Sequence, residues 1–212
     1  MKKIQFLNPQ NFMSNLNLKQ LPMKTMKTFQ LLAILTVFAF AFTSCSDDDD
    51  APQVINEEEV ITTMTVTLVD NNGTVKTMSK VDADGDGPLD PIISADDLDA
   101  NTTYTGSVEF LNQLEDPAED ITAEVAEEDE EHQVFYVPSS SLNATAEYND
   151  QDANGNPLGL DFTLTTGDAS SGTLTVILRH EPIKDAAGVS EGDPTNAGGE
   201  TDVEAVFEFD IL

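Results

Sequence analysis

Tryptophan is absent from this chain of 212 residues, cysteine occurs once, histidine twice, and Lys and Arg together only nine times against 40 Asp and Glu. A single thiol excludes disulfide staples, iron–sulfur clusters and thiolate zinc sites downstream of it, so the fold must be held by its core alone. With only His132 and His180 available, a Ser–His–Asp arrangement would have to use one of them. No G-x-S-x-G elbow, H-E-x-x-H pair or Gly-rich phosphate loop occurs either. Five of the nine basic residues (Lys2, Lys3, Lys19, Lys24 and Lys27) precede Cys45, leaving four against all 40 acidic residues, a net charge of −36. A field of that sign repels phosphate backbones, which excludes nucleic acid as a partner, and it repels anionic lipid surfaces. Cations, cationic peptides and neutral glycans remain as partners. Long apolar runs are also missing: Leu31–Phe42 falls short of the roughly 20 residues that a helix needs to span a bilayer.

That short run has a recognisable setting. Lys24 and Lys27 stand before it, Thr43 and Ser44 follow it, and Cys45 comes next, trailed by Ser46 and Asp47 to Asp50. A charged start, a short apolar stretch and small residues at a cut site form the export pattern. With the cysteine in place the segment resembles a bacterial lipoprotein signal, which implies removal of residues 1–44, diacylation of Cys45 and anchoring of the protein in a membrane by lipid. Met23 or Met26 makes a more ordinary start than Met1, so residues 1–22 read as a start-site artefact. Cys45-Ser-Asp-Asp-Asp-Asp is similar to the export signal of surface lipoproteins of Bacteroidota, which implies the outer face of the outer membrane. Residues 45–56 read as an acidic, flexible tether.

From Val60 onward the pattern has period two, as in half-buried strands. Val60, Met64, Val66 and Leu68 share one face against Thr63, Thr65 and Thr67. Tyr104, Val108 and Phe110 repeat the pattern, as do Leu160, Phe162 and Leu164, and then Leu174, Val176 and Leu178. Val203, Ala205, Phe207, Phe209 and Ile211 oppose Asp202, Glu204, Glu208 and Asp210. Weaker strands are expected at 74–81, 133–138 and 142–149, about eight in all. Asn71-Asn72-Gly73 and Ser170-Ser171-Gly172 predict tight turns, since Asn and Gly tolerate positive φ. Strands with one apolar face require a second sheet, so 57–212 reads as a single all-β domain, an antiparallel two-sheet sandwich of immunoglobulin or fibronectin-III-like kind. Ile121 and Val125 stand at helical spacing among acids, which predicts a short acidic helix or loop over 119–131.

Two loops have the spacing of a calcium site. Asp82, Asp84 and Asp86 before Gly87, with Asp90 at the ninth place, and Asp150, Asp152, Asn154 and Asn156 around Gly155, with Asp161 at the twelfth, alternate oxygen side chains about a glycine turn. That suits a hard cation such as Ca²⁺. The alternative is that Asp, Asn and Gly form ordinary hairpin ends on an acidic chain. His132 follows Glu127–Glu131 and reads as part of a solvated charge run, with Zn²⁺ ligation as the sharper alternative. His180 is in phase with the buried face of its strand and reads as a core-edge histidine.

Asn101-Thr-Thr-Tyr-Thr-Gly106, Glu119-Asp-Ile-Thr122, Asp129-Glu-Glu-His-Gln133 and Asn196-Ala-Gly-Gly-Glu-Thr-Asp202 are similar to phrases of a group of small flavobacterial surface lipoproteins. Chains of that group sometimes carry the label "type 1 periplasmic binding fold superfamily protein"; that fold needs two α/β lobes, and the strand pattern argues against it. The group brings no activity with it. Two classes of function follow from the residues. One is a non-catalytic binding or accessory module at the cell surface, taking cations or partnering an outer-membrane transporter or other envelope protein, with no cofactor beyond Ca²⁺. The other is a hydrolase that works with carboxylates, for example on glycans. A pocket holding inward carboxylates of raised pKa separates the two.

Overall fold

Among the described residues ten strands follow one another as β1 (Thr63–Asp70), β2 (Val75–Val81), β3 (Ile92–Ala95), β4 (Thr103–Asn112), β5 (Glu119–Asp120), β6 (His132–Pro138), β7 (Ala144–Tyr148), β8 (Asp161–Thr166), β9 (Ser170–His180) and β10 (Glu200–Ile211), with one α-helix, α1 (Ile121–Glu127), between β5 and β6 and a single 3-10 turn at Pro194–Asn196. The computed structural model describes residues 59–85 and 87–212. The expected signal and tether, 1–44 and 45–56 with Cys45, lie outside the described residues, as does Asp86. All strand pairings are antiparallel: β3-β2-β1-β4-β8-β7 form the larger sheet, with β5 added on β4, and β10-β9-β6 form the smaller. The two-sheet all-β sandwich expected from the alternation is the fold. No helix among the described residues is long and apolar enough to cross a membrane.

Alternation sets which faces meet. Met64, Val66 and Leu68 of β1, Tyr104, Val108 and Phe110 of β4, and Phe162 and Leu164 of β8 point into one core. There they meet Val134, Tyr136, Leu174, Val176, Leu178, Val203, Ala205, Phe207, Phe209 and Ile211 of the smaller sheet. Burial of this apolar surface, at about 25 cal/mol per Å², is what stands in for the missing disulfides. Val60, expected on the inward face, precedes β1 and is 48% exposed. In α1, Ile121 and Val125 are the buried pair, one turn apart, and Thr122 fixes the helix to β4 by accepting from the N–H of Phe110 at 2.9 Å.

Turn chemistry explains two further points. Asp70 Oδ1 accepts from the N–H groups of Asn72 and Thr74, each at 2.8 Å, and Gly73 takes φ +85°, so the Asn-Asn-Gly segment makes the β1–β2 hairpin as expected. Ser170-Ser171-Gly172 instead lies inside β9, and the preceding turn falls on residues 167–169. Gly172 has a packing reason there, since a Cβ would stand 2.6 Å from Ser139 Oγ. β6 is buried on both faces: His132, Val134 and Tyr136 face the sandwich, whereas Phe135 packs with Ile177, Val189 and Ala197 beneath the segment 181–199. Gln133 Nε2 ties that segment down by donating to the Val189 carbonyl at 2.9 Å.

Across the sandwich, Tyr136 of β6 stacks on Phe162 of β8 with ring centroids 3.8 Å apart. Gly106 on β4 makes room for this, because a Cβ there would lie 2.4 Å from the Phe162 ring. Both rings are enclosed and cannot retreat. Gly106→Ala is therefore expected to destabilise the domain by about 1–3 kcal/mol, the usual cost of overpacking a core. In urea unfolding this appears as a lower midpoint at unchanged slope.

Candidate functional site

The two histidines meet at one end of the smaller sheet. His132 opens β6 and His180 ends β9, and the strand register sets them directly opposite one another on the core-facing side. Their rings stand edge to face, 89° apart, and His180 Nδ1 is 3.0 Å from His132 Nε2. His132 is fully buried, not part of a solvated run, because the chain turns at Glu128–Glu131 and carries it beneath the acids that precede it. Its Nδ1–H donates to the Glu128 carbonyl at 3.2 Å, which leaves Nε2 as the nitrogen with a lone pair directed inward. Burial holds the imidazole below its usual pKa, with the Glu128 carbonyl opposing that shift.

A backbone irregularity brings a carboxylate to this pair. β10 pairs with β9 as Glu200↔His180 and Thr201↔Arg179, then Val203↔Leu178, so Asp202 is the extra residue of a β-bulge. Regular alternation would send Asp202 outward, as the sequence predicts from its position beside Val203. The bulge instead leaves its side chain only 5% exposed, with Oδ2 3.9 Å from His132 Nε2. Gly198 and Gly199, at φ +61° and +66°, start β10 beside His180; a Cβ on Gly199 would stand 2.1 Å from the His180 carbonyl oxygen. Glu59, on the segment leading to β1, places Oε1 3.9 Å from His132 Nε2.

Glu59 and Asp202 also line a pocket of about 380 Å³ with Lys80, Asp82 and Glu200. Glu59 Oε2 and Asp82 Oδ1 are buried in it without a hydrogen-bond partner. Burial, followed by the charges of Asp202, Glu124, Glu128 and Glu119, pushes the Glu59 carboxyl up to about 7. Among the described residues, the groups of three or more ligand atoms within 4.8 Å of one another are His132–His180–Asp202, Glu59–Glu128–His132 and Glu131–His180–Glu181. All three centre on the histidines.

The two loops with calcium-like spacing are organised differently. Asp150 accepts from the N–H of Gly159 at 2.6 Å and of Asp161 at 2.9 Å, so both of its oxygens serve the backbone. Asp152 Oδ1 accepts from the N–H groups of Asn154 and Asn156, each at 2.9 Å, while Oδ2 accepts from Lys184 Nζ at 3.0 Å. Lys184, buried itself, also donates to the carbonyls of Asp129 and Pro157. Its ammonium thus occupies an oxygen cage at this loop. Asp161 and Asn154 are exposed. In the first loop, Asp82 reaches the pocket, Asp84 Oδ2 accepts from the Leu89 N–H at 3.2 Å, and Asp90 is exposed.

No protein-family model matches the chain, and no curated protein or solved structure matches it either.

Two predictions follow from these carboxyls. For Asp152, burial pushes the pKa up, but the Asn156 and Asn154 N–H groups and Lys184 outweigh it, and the net result lies below the usual carboxylate value. The ionised pair is therefore stabilising above the ordinary carboxylate pKa, and that stability is lost as pH falls through the lower folded value. Asp152→Ala strands the Lys184 charge and should cost about 3–5 kcal/mol at pH 7, measured by thermal unfolding, and added Ca²⁺ should not restore it. Glu59 has the opposite sign. Its folded pKa is raised, so the unfolded chain loses the proton first and the destabilising contribution grows between about pH 4.5 and 7. In EDTA, Glu59→Gln should leave Tm unchanged near pH 4.5 and raise it by about 2–4 °C above pH 7, which corresponds to about 1 kcal/mol after solvent screening.

Proposed function

We propose that this chain is a non-catalytic binding module, held at the outer membrane on the cell surface by acylation of Cys45, that takes a cationic ligand in the pocket of Glu59, Asp82, Glu200 and Asp202. The observation that carries this reading is the lining: four carboxylates against one ammonium, with two buried acceptor oxygens left without a donor. A desolvated acceptor is costly unless a ligand supplies the missing charge or hydrogen bond. The net charge of −36 beyond Cys45 draws cations to such a site and raises their encounter rate. A basic segment of an outer-membrane transporter or another envelope protein has the matching chemistry, as does a divalent cation.

A second reading has one observation in its favour. Glu59, raised to about 7 beside Asp202, has the acid–base poise that a carboxylate hydrolase requires. The binding reading is preferred because both carboxylates converge on His132, within 3.9 Å of the same nitrogen.

The address is tested by fractionating cells. Cys45→Ser should move the protein from the membrane to the soluble fraction, and replacing Asp47 to Asp50 with alanine should abolish protease accessibility on whole cells while leaving the lipid in place. Continued membrane retention of Cys45→Ser would overturn the anchored reading. Capture of partners from intact outer membranes, repeated with Asp82→Asn and Glu200→Gln, should lose its partner with the pocket charge.

A further inference from the structure

We infer that His132 Nε2, His180 Nδ1 and the Asp202 carboxylate ligate a divalent transition metal of the zinc type, with Glu59 as the fourth donor. The inference rests on the pocket reading only in that the ion reaches the site through that pocket.

Geometry supports it first. The three ligand atoms lie within 4.8 Å of one another, with His132 Nε2 3.0 Å from His180 Nδ1 and 3.9 Å from Asp202 Oδ2 and from Glu59 Oε1. Zinc binds nitrogen and carboxylate oxygen at about 2.0–2.2 Å, so tetrahedral ligand atoms stand roughly 3.3–3.5 Å apart. The separations from His132 Nε2 bracket that spacing; Glu59 groups with His132 and Glu128 and not with His180 and Asp202, so its side chain turns toward them to complete the set. The tautomer of His132 is set as well: its Nδ1–H is held by the Glu128 carbonyl, the outer-shell contact that aims a metal-binding imidazole, while the Nδ1–H that His180 donates to His132 Nε2 in the ion-free pair moves to Nε2 of His180 when Nδ1 takes the metal.

The donor set selects the ion. Two imidazoles and two carboxylates suit zinc and its neighbours, whereas calcium takes oxygen ligands and gains little from histidine. Charge points the same way. Glu59 Oε2 is buried without a hydrogen-bond partner, and among the described residues the Lys–carboxylate ion pairs are Lys76–Asp99 and Lys184–Asp152, neither of which includes Glu59. The β-bulge at Asp202 and the left-handed Gly198–Gly199 turn supply the backbone side of the argument. Regular strands would have kept Asp202 in solvent; the bulge turns it toward the two histidines, and Gly199 lets the start of β10 pass close to the His180 carbonyl.

The test titrates the full chain, purified in detergent, with Zn²⁺ alone in the presence of millimolar Ca²⁺, which occupies generic acidic sites. One equivalent of Zn²⁺ should bind by calorimetry and raise Tm. Co²⁺ should give the intense visible bands of tetrahedral coordination. His132→Gln and His180→Gln should each weaken Zn²⁺ by at least about 100-fold, beyond the 10–100-fold that outer-shell changes cost, and abolish the Co²⁺ bands. Because His132 is fully buried, Asp202→Asn and His180→Gln, at the edge of the cluster, serve as the variants whose folding is checked by circular dichroism. Uptake of Zn²⁺ that Ca²⁺ displaces completely, or a one-to-one site surviving in both folded His180→Gln and Asp202→Asn, would overturn the inference and leave a hydrogen-bonded structural pair. A chain that fails to reach the membrane yet binds one Zn²⁺ through its histidines supports the site while the anchored-module reading falls. An anchored chain without histidine-dependent binding removes the site alone.

Discussion

Cations are scarce in this protein, and that scarcity decides how each carboxylate that leaves solvent is satisfied. Beyond Cys45 four basic side chains face 40 acidic ones. Several acids therefore turn to the backbone. Asp70 takes the N–H groups of Asn72 and Thr74, Asp150 those of Gly159 and Asp161, and Asp193 that of Thr195 at 2.9 Å. Each arrangement stabilises the anion with dipoles already fixed by a turn. The same contacts shape the hairpins, so charge satisfaction and chain reversal are one event in these loops.

Lys184 shows the second solution. Its segment, 181–199, folds over the outer face of the smaller sheet, where Val189 and Ala197 cover Phe135 and Ile177. The ammonium then reaches Asp152 and the carbonyls of Asp129 and Pro157, joining that cover to the 150–157 loop and to the turn ahead of His132. A buried lysine in such a cage contributes mainly by specifying which loops meet, since its desolvation offsets much of the Coulombic gain. Where no lysine or N–H arrives, at Glu59 Oε2 and Asp82 Oδ1, the oxygens stay without a donor and the pocket opens over them.

Much of the scaffold was legible because solvent-facing threonine alternates with large apolar residues along β1, β4, β8 and β9, and because Asn71-Asn72-Gly73 has one economical turn. β3 escaped notice: Ile92 and Ile93 are adjacent apolar residues on an edge strand, exposed at 72% and 45%, and carry no period. β6 looked weak because it is covered on both faces, which erases alternation. Glycine signals were legible only where φ mattered. Gly106 and Gly172 are required by a ring and by a serine on neighbouring elements, contacts that no local pattern encodes.

The site was half legible. His132 and His180 stood out by rarity, but sequence distance concealed that β6 and β9 pair them, and the acids before His132 made it look solvated. Asp202 and Glu59 were hidden for different reasons. A bulge reverses the face of Asp202 without any mark in its neighbours, and Glu59 sits in a run of three glutamates with nothing to single it out. Two imidazoles and two carboxylates gathered beside a pocket, one of the carboxylates carried there by a bulge, are not what regular alternation builds. Local departures from the rules that build the rest of a fold concentrate where something other than stability is served. In this chain they converge on one nitrogen of His132, the atom that His180, Asp202 and Glu59 all approach.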